Sequence, residues 1–259
     1  MVRSTAFPRM DHWVYHPHGR YLLEAERKAL ASLLPHYFGY HLLQLGGPLH
    51  FDLLESSLIN HHIRLADENS PGFSGSSVEA DFNELPFQPD SIDLVVMPHT
   101  LDRLSDPQTL LKSVYDVLIP EGHVIILGYN AWSLWRMAKF FRRHDVLLQR
   151  AQFHGAGQVR RWLHHAGFQI VYHNSVAHRP PIPSEDWLKR LLFLEPTGQL
   201  LWPHLGAAHL IVAQKRVIPF TAIRAAIKKN VMRVGERLSE PTTLEPHTLE
   251  PHNMESPDP

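Results

Sequence analysis

Between Ser91 and Asn130 the chain carries a unit that leaves few choices of fold. SIDLVVMPHT (91–100) is an apolar run entering a polar turn, and HVIILGYN (123–130) is a second one. Between them, DPQTLLKSVYDVLI (106–119) has Asp106 as an N-cap, Pro107 at the first helical position and apolar residues at 110, 111, 114, 117 and 118. That spacing predicts one buried face of a helix, and PEG (120–122) ends it. Strands that are apolar throughout need cover on both faces. Strand, helix and strand in this order therefore predict a parallel crossover inside an α/β sheet.

The rest of the chain continues the alternation. YLLEAERKALASLLPHYF (21–38) predicts a helix, its apolar face at 22, 23, 30, 33 and 34 being interrupted at Glu26, with Gly39 as a stop. HLLQL (41–45) and HHIRLA (61–66) read as strands, 51–58 as a helix or turn, and DENSPGFSGSS (67–77) as a loop. Later come a helix over 157–168, a strand over 168–178, a short helix over 186–194 and a last strand in AAHLIVAQKR (207–216). Two late strands predict an antiparallel edge on the sheet.

Composition removes several classes. The chain has 259 residues, 44% of them hydrophobic, which supports one sizeable core. A net charge of -1 gives no basic field for nucleic acid. With no cysteine there is no disulfide, thiolate metal site or cysteine nucleophile. Histidine is abundant, at 20 residues, but His61-His62 and His164-His165 are adjacent pairs whose side chains diverge, and no HExxH occurs, so no metal site is expected. The N-terminus lacks a signal-peptide pattern and no run reaches the roughly 20 apolar residues of a membrane span. A soluble cytoplasmic protein is expected. Residues 1–218 are expected to form the folded domain, 219–239 a basic amphipathic extension, and 240–259, with its tandem TLEPH, a disordered tail.

VEADFNELPFQPDSIDLVVMPHTLDRLSDPQTLLKSVYDVLIPEGHVIILGYNAWSLW (78–135) resembles the class I S-adenosylmethionine-dependent methyltransferases. The matching order is an acidic residue, LPF, a DLV strand, a His-x-Leu turn, a DP-capped helix, a Pro-Gly turn and a final strand. GRYLLEAE, LLQLGG, RRWLHHAGF, HRPPIP and WPHLGAAHLIVAQKRV extend the likeness over residues 18–220, to a bacterial branch in which LQLG stands for the fuller acidic glycine loop. The resemblance implies a Rossmann-like sheet, mostly parallel with an antiparallel edge strand and helices on both faces. It implies S-adenosyl-L-methionine as cofactor and methyl transfer as the activity.

The same resemblance distributes the cofactor. Gly46 and Gly47 would lie at its amino-acid end, where absent side chains let backbone approach. Gln44 stands where the family has a carboxylate; its amide oxygen can accept the same hydrogen bond without charge, at a cost of about 1–2 kcal/mol. Asp67 or Glu68 would hold the ribose hydroxyls, or form a solvated turn. Asp81 would accept from the adenine amino group, with Phe82 offering its backbone amide, or Asp81 caps its own loop. His99, past the fourth strand, is a candidate general base or a turn histidine lining the cofactor pocket. Asn130 and Trp132, ending the fifth strand, would line the acceptor pocket. The absence of an Asn-Pro-Pro-aromatic motif weighs against nucleobase substrates without identifying the acceptor, which is expected to be small or lipid-like. SLWRMAKFFRRH (133–144) and the basic helix near 223–237 are amphipathic, and read either as membrane or anionic-substrate contacts or as solvated cover. A catalytically silent binding or regulatory module is the alternative to the enzyme.

Overall fold

In a computed structural model of the chain, the described residues are 16–47, 51–66, 77–79, 82, 84–141, 152–182 and 184–217. The chain divides into a unit Met1–Val217 and a unit Ile218–Pro259. The extension expected over 219–239 and the tail over 240–259 lie outside the described residues.

The sheet has seven strands: β1 (His41–Leu45), β2 (His61–Ala66), β3 (Ser77–Glu79), β4 (Ile92–Pro98), β5 (Leu118–Tyr129), β6 (Phe168–Val176) and β7 (Ala208–Lys215). Their order is β3-β2-β1-β4-β5-β7-β6. β3, β2, β1, β4 and β5 pair in parallel, and β7 runs antiparallel to both β5 and β6. The reversed strand therefore sits one place in from the edge, and β6 forms the edge itself. β7 is buried along nearly its whole length because it has neighbours on both sides, whereas β6 is half exposed.

The helices are α1 (Pro17–Leu33), α2 (Pro107–Val117), α3 (Leu134–Phe141), α4 (Ala156–His165), α5 (Glu185–Arg190) and α6 (Leu194–Leu201). α2 begins as its sequence dictates: the Asp106 carboxylate accepts from Gln108 N at 3.2 Å and Thr109 N at 3.4 Å, with Pro107 behind it. It buries Leu110, Leu111, Val114 and Val117 against one face of the sheet, where α4 adds Val159 and Leu163. α1 contributes Leu30 to the opposite core, with Leu42, Val96, Ile125 and Leu210. Leu22 joins Tyr129 and Trp135 in a third cluster.

Several boundaries move from those expected. α1 stops at Leu33, and a 3-10 turn Leu34–His36 carries Pro35, whose ring cannot extend an α-helix. Residues 51–58, expected as a helix or turn, form turns. β5 starts at Leu118, so PEG lies inside the strand as an irregularity with Glu121 at φ 64. Ser77 belongs to β3 rather than to the preceding loop. α6 has no counterpart in the sequence reading, because Pro196 and Gly198 conceal its helical pattern.

Candidate functional site

Because β1, β2, β4 and β5 are parallel, their carboxyl ends share one edge of the sheet, the place where open α/β sheets receive ligands. There β1 runs into Gly46 and Gly47, at φ 68 and 88. Both lie in the left-handed region that side chains oppose. Space enforces the same choice at Gly47, where an added Cβ would meet the Pro98 ring at 2.9 Å and Gln44 Nε2 at 3.2 Å. Gly46 N donates to Leu65 O at 2.9 Å, and the Thr100 hydroxyl donates to Leu45 O. The turn is thereby tied to β2 on one side and to the end of β4 on the other.

Gln44 is buried, and its Nε2 donates to Gly46 O at 2.9 Å. A carboxylate at this position has no proton to give and would face the carbonyl with like charge. The amide is thus suited to hold this particular turn. Phe82 is buried in the adjacent core, its ring edge 3.9 Å from where a Gly46 Cβ would stand. Asp67 and Asp81 lie outside the described residues, as does residue 68.

His99 sits immediately after β4 at φ 54, held by His99 N to Leu127 O at 2.8 Å. Its ring is buried between two carboxylates: Nε2 lies 2.7 Å from Glu26 Oε1 on α1, and Nδ1 lies 3.0 Å from Asp102 Oδ2. Burial alone would lower its pKa. The Glu26 charge, the hydrogen bonds to both carboxylates and the Asp102 charge outweigh it and hold the ring up to about 10. At neutral pH His99 is an imidazolium with both N–H groups donated. Glu26 Oε2 and Asp102 Oδ1 are buried and have no hydrogen-bond partner among the described residues. Asp102 Oδ2 also accepts from Tyr129 N at 2.8 Å, and the Tyr129 ring lies over His99 at 4.1 Å between centroids. His209 on β7 abuts the group; burial holds its pKa down to about 4, so it is neutral.

Asn130 is buried with its amide fully engaged. Nδ2 donates to His204 O at 2.6 Å and Gly206 O at 3.0 Å, and Oδ1 accepts from Trp132 N at 3.0 Å. It fastens the turn after β5 to the loop before β7. Trp132 itself is exposed, and Trp135 is buried with Nε1 donating to Arg179 O at 3.0 Å. In the amphipathic segment 133–144, α3 ends at Phe141, and the residues beyond it lie outside the described ones.

The structure thus brings Gln44, Gly46, Gly47, Phe82 and His99 to one edge, with Asn130 at the end of the neighbouring strand. Sequence reasoning missed Glu26, Asp102 and His209 as partners of this group. The signal for Glu26 was present: a carboxylate one helical turn from both Leu22 and Leu30 on an apolar face needs a buried partner. Asp102 stands three residues after His99 in PHTLD, within local reach of it, whereas His209 carries no comparable signal, since only the fold brings β7 beside the turn after β4.

Residues 49–126 match the family model described as a methyltransferase domain. The uncharacterized protein YafS of Escherichia coli strain K12 is 29% identical over 231 residues, covering 86% of this chain and 88% of YafS. A demethylmenaquinone methyltransferase of Chlamydia pneumoniae is 36% identical over 63 residues, 24% of this chain and 27% of that protein. Among solved structures, a SAM-dependent methyltransferase of Thermotoga maritima, described as a possible histamine N-methyltransferase, superposes with a TM-score of 0.59 at 19% identity. That match covers 79% of this chain and 93% of the other, and at such identity it carries the fold. Residues 49–126 thus match a methyltransferase domain, set in a sheet with the fold of the S-adenosylmethionine-dependent methyltransferases.

Proposed function

We propose that the chain methylates a small or lipid-like acceptor that enters over the carboxyl ends of β4 and β5. The observation that carries this reading is the Gly46-Gly47 turn, two successive left-handed glycines closing β1 beside Pro98 and Thr100. Its side-chain-free backbone suits the amino-acid end of the cofactor. Asp67 is assigned to the ribose, and Asp81 with the Phe82 amide to the adenine. The cofactor in this reading is S-adenosyl-L-methionine, which carries a sulfonium and an ammonium. The cofactor supplies an electrophilic methyl group on sulfur. The chain's part is to hold the acceptor atom in line with it and dry.

His99 and Asn130 enter this reading as positioning residues. Both nitrogens of His99 are bonded to carboxylates, and the Asn130 amide is spent on backbone. Neither has an atom free for an acceptor proton, so the base role expected for His99 does not follow from this geometry. The local likeness to a demethylmenaquinone methyltransferase supports an acceptor of lipid-like chemistry. No described helix is long and apolar enough to cross a membrane, so such an acceptor would be reached from the surface.

The assignment of the two ends is tested by calorimetric titration with S-adenosylhomocysteine. Asp81→Ala is expected to weaken binding by about tenfold, the worth of a hydrogen bond to an ionised group. Gln44→Ala, which loosens the turn without removing a ligand contact, is expected to weaken it less. The reverse order would place the adenine away from Asp81.

A further inference from the structure

We propose that α5, α6 and the turn after β5 form a surface that docks this chain on a phospholipid bilayer, with α6 lying along the interface. The inference rests on the lipid-like acceptor proposed above and names how that acceptor is reached.

α6 is turned inside out for a solvated helix. Gly198 faces the protein: an added Cβ there would lie 2.5 Å from His178 Cβ, at the end of β6. At about 100° per residue, positions 196 and 200 fall on the opposite side, in line with the N-cap residue 193. They are Pro196, Leu200 and Phe193, all exposed, Leu200 to 81%, and Leu192 in the turn before the helix is exposed as well. A helix whose outward stripe is apolar awaits a partner.

The neighbouring segments share this character. Trp187 on α5 and Trp202 after α6 are exposed, as is Trp132, to 77%. These segments are fastened to one corner of the sheet. The Asn130 amide binds the carbonyls of residues 204 and 206, Trp135 on α3 binds Arg179 O, and α6 abuts His178. That corner is the carboxyl end of β5 and β6 and the start of β7, the edge where the acceptor enters.

The type of residue selects the occupant. Tryptophans beside a stripe of leucine and phenylalanine are interface-seeking groups, wet at one end and apolar at the other. Cations are interleaved with them: Arg136 is exposed on α3, and the Arg190 guanidinium sits 5.3 Å above the Trp187 ring. Apolar groups for the acyl boundary and cations for phosphate fit a bilayer with anionic headgroups. A lipid acceptor would then pass from the bilayer to the carboxyl edge without crossing water.

The test is flotation of the full chain with phosphatidylcholine vesicles, with and without phosphatidylglycerol, beside a Phe193→Glu/Leu200→Glu variant. Both substituted side chains point outward, so the variant should keep the wild-type melting temperature. The wild type is expected to float, more with phosphatidylglycerol, and the variant to lose at least about tenfold of that binding. Brominated lipid should quench the wild-type tryptophan fluorescence, a readout that needs no variant. Three results would overturn the proposal: a wild type that stays in the aqueous fraction, no quenching, or a self-associated wild type that the double substitution makes monomeric, which would identify a second copy as the occupant. Binding of S-adenosylhomocysteine is measured on the same samples. Wild type that binds cofactor and does not float removes this inference alone; wild type that floats and binds no cofactor removes the methyl-transfer reading and keeps the surface.

Discussion

His99→Ala is expected to destabilise the protein by about 3–5 kcal/mol, the cost of breaking a buried ion pair by removing one partner. The substitution leaves Glu26 and Asp102, both buried, without the cation between them. In a domain of this size each kcal/mol moves the melting temperature by about 2–4 °C, so the loss should be about 6–20 °C by circular dichroism. The pH dependence identifies the cause. The folded pKa of His99 is raised, so its contribution is complete below the unfolded value of about 6.5 and is lost as pH rises toward about 10. His209 works with the opposite sign: its folded pKa is lowered to about 4, so its contribution is present above about 6.5 and is lost as pH falls. The wild type should therefore lose stability between about pH 7 and 10, and His99→Ala should lack that limb. A variant that melts like the wild type and keeps the limb would show that the Glu26–His99–Asp102 group holds nothing together.

Gly47→Ala should act on the cofactor rather than on the whole fold. At φ 88 any Cβ is strained, by about 1–2 kcal/mol. The nearest obstacle is the Pro98 ring at 2.9 Å, which has little freedom to move aside. The turn must shift, and Gln44 Nε2, 3.2 Å from the new atom, must shift with it. Affinity for S-adenosylhomocysteine is expected to fall by about 10- to 100-fold, with a drop of only a few degrees in melting temperature. Unchanged affinity in calorimetry would mean that the turn is structural and the cofactor lies elsewhere.

The two sites differ in how far the sequence reveals them. The Ser91–Asn130 unit announces its crossover because a doubly covered strand needs a continuous apolar run, and LVVM (94–97) and VIIL (124–127) provide it. The Gly46-Gly47 turn is legible for a related reason: left-handed backbone after a strand leaves glycine as its trace. Gln44 reads as a lost carboxylate until its amide is seen donating to Gly46 O, a contact two residues away that composition does not express. The protonated state of His99 rests on one carboxylate three residues away and another on α1. Glu26 lies 73 residues from it in sequence and enters only when α1 crosses the carboxyl edge. No local pattern in PHTLD separates a free base from an imidazolium already committed to two carboxylates. The outward apolar stripe of α6 escapes notice because Pro196 and Gly198 suppress the helical reading, and without a helix the leucines have no face to share.

Titration of the wild-type chain with S-adenosylhomocysteine in a calorimeter tests the central claim most directly. The claim is that the Gly46-Gly47 turn, with an amide at position 44 in place of a carboxylate, still forms one working cofactor site. The expected result is saturable binding of one molecule per chain, with affinity reduced by Gly47→Ala. No heat of binding at millimolar ligand, from a chain that melts cooperatively, would contradict it.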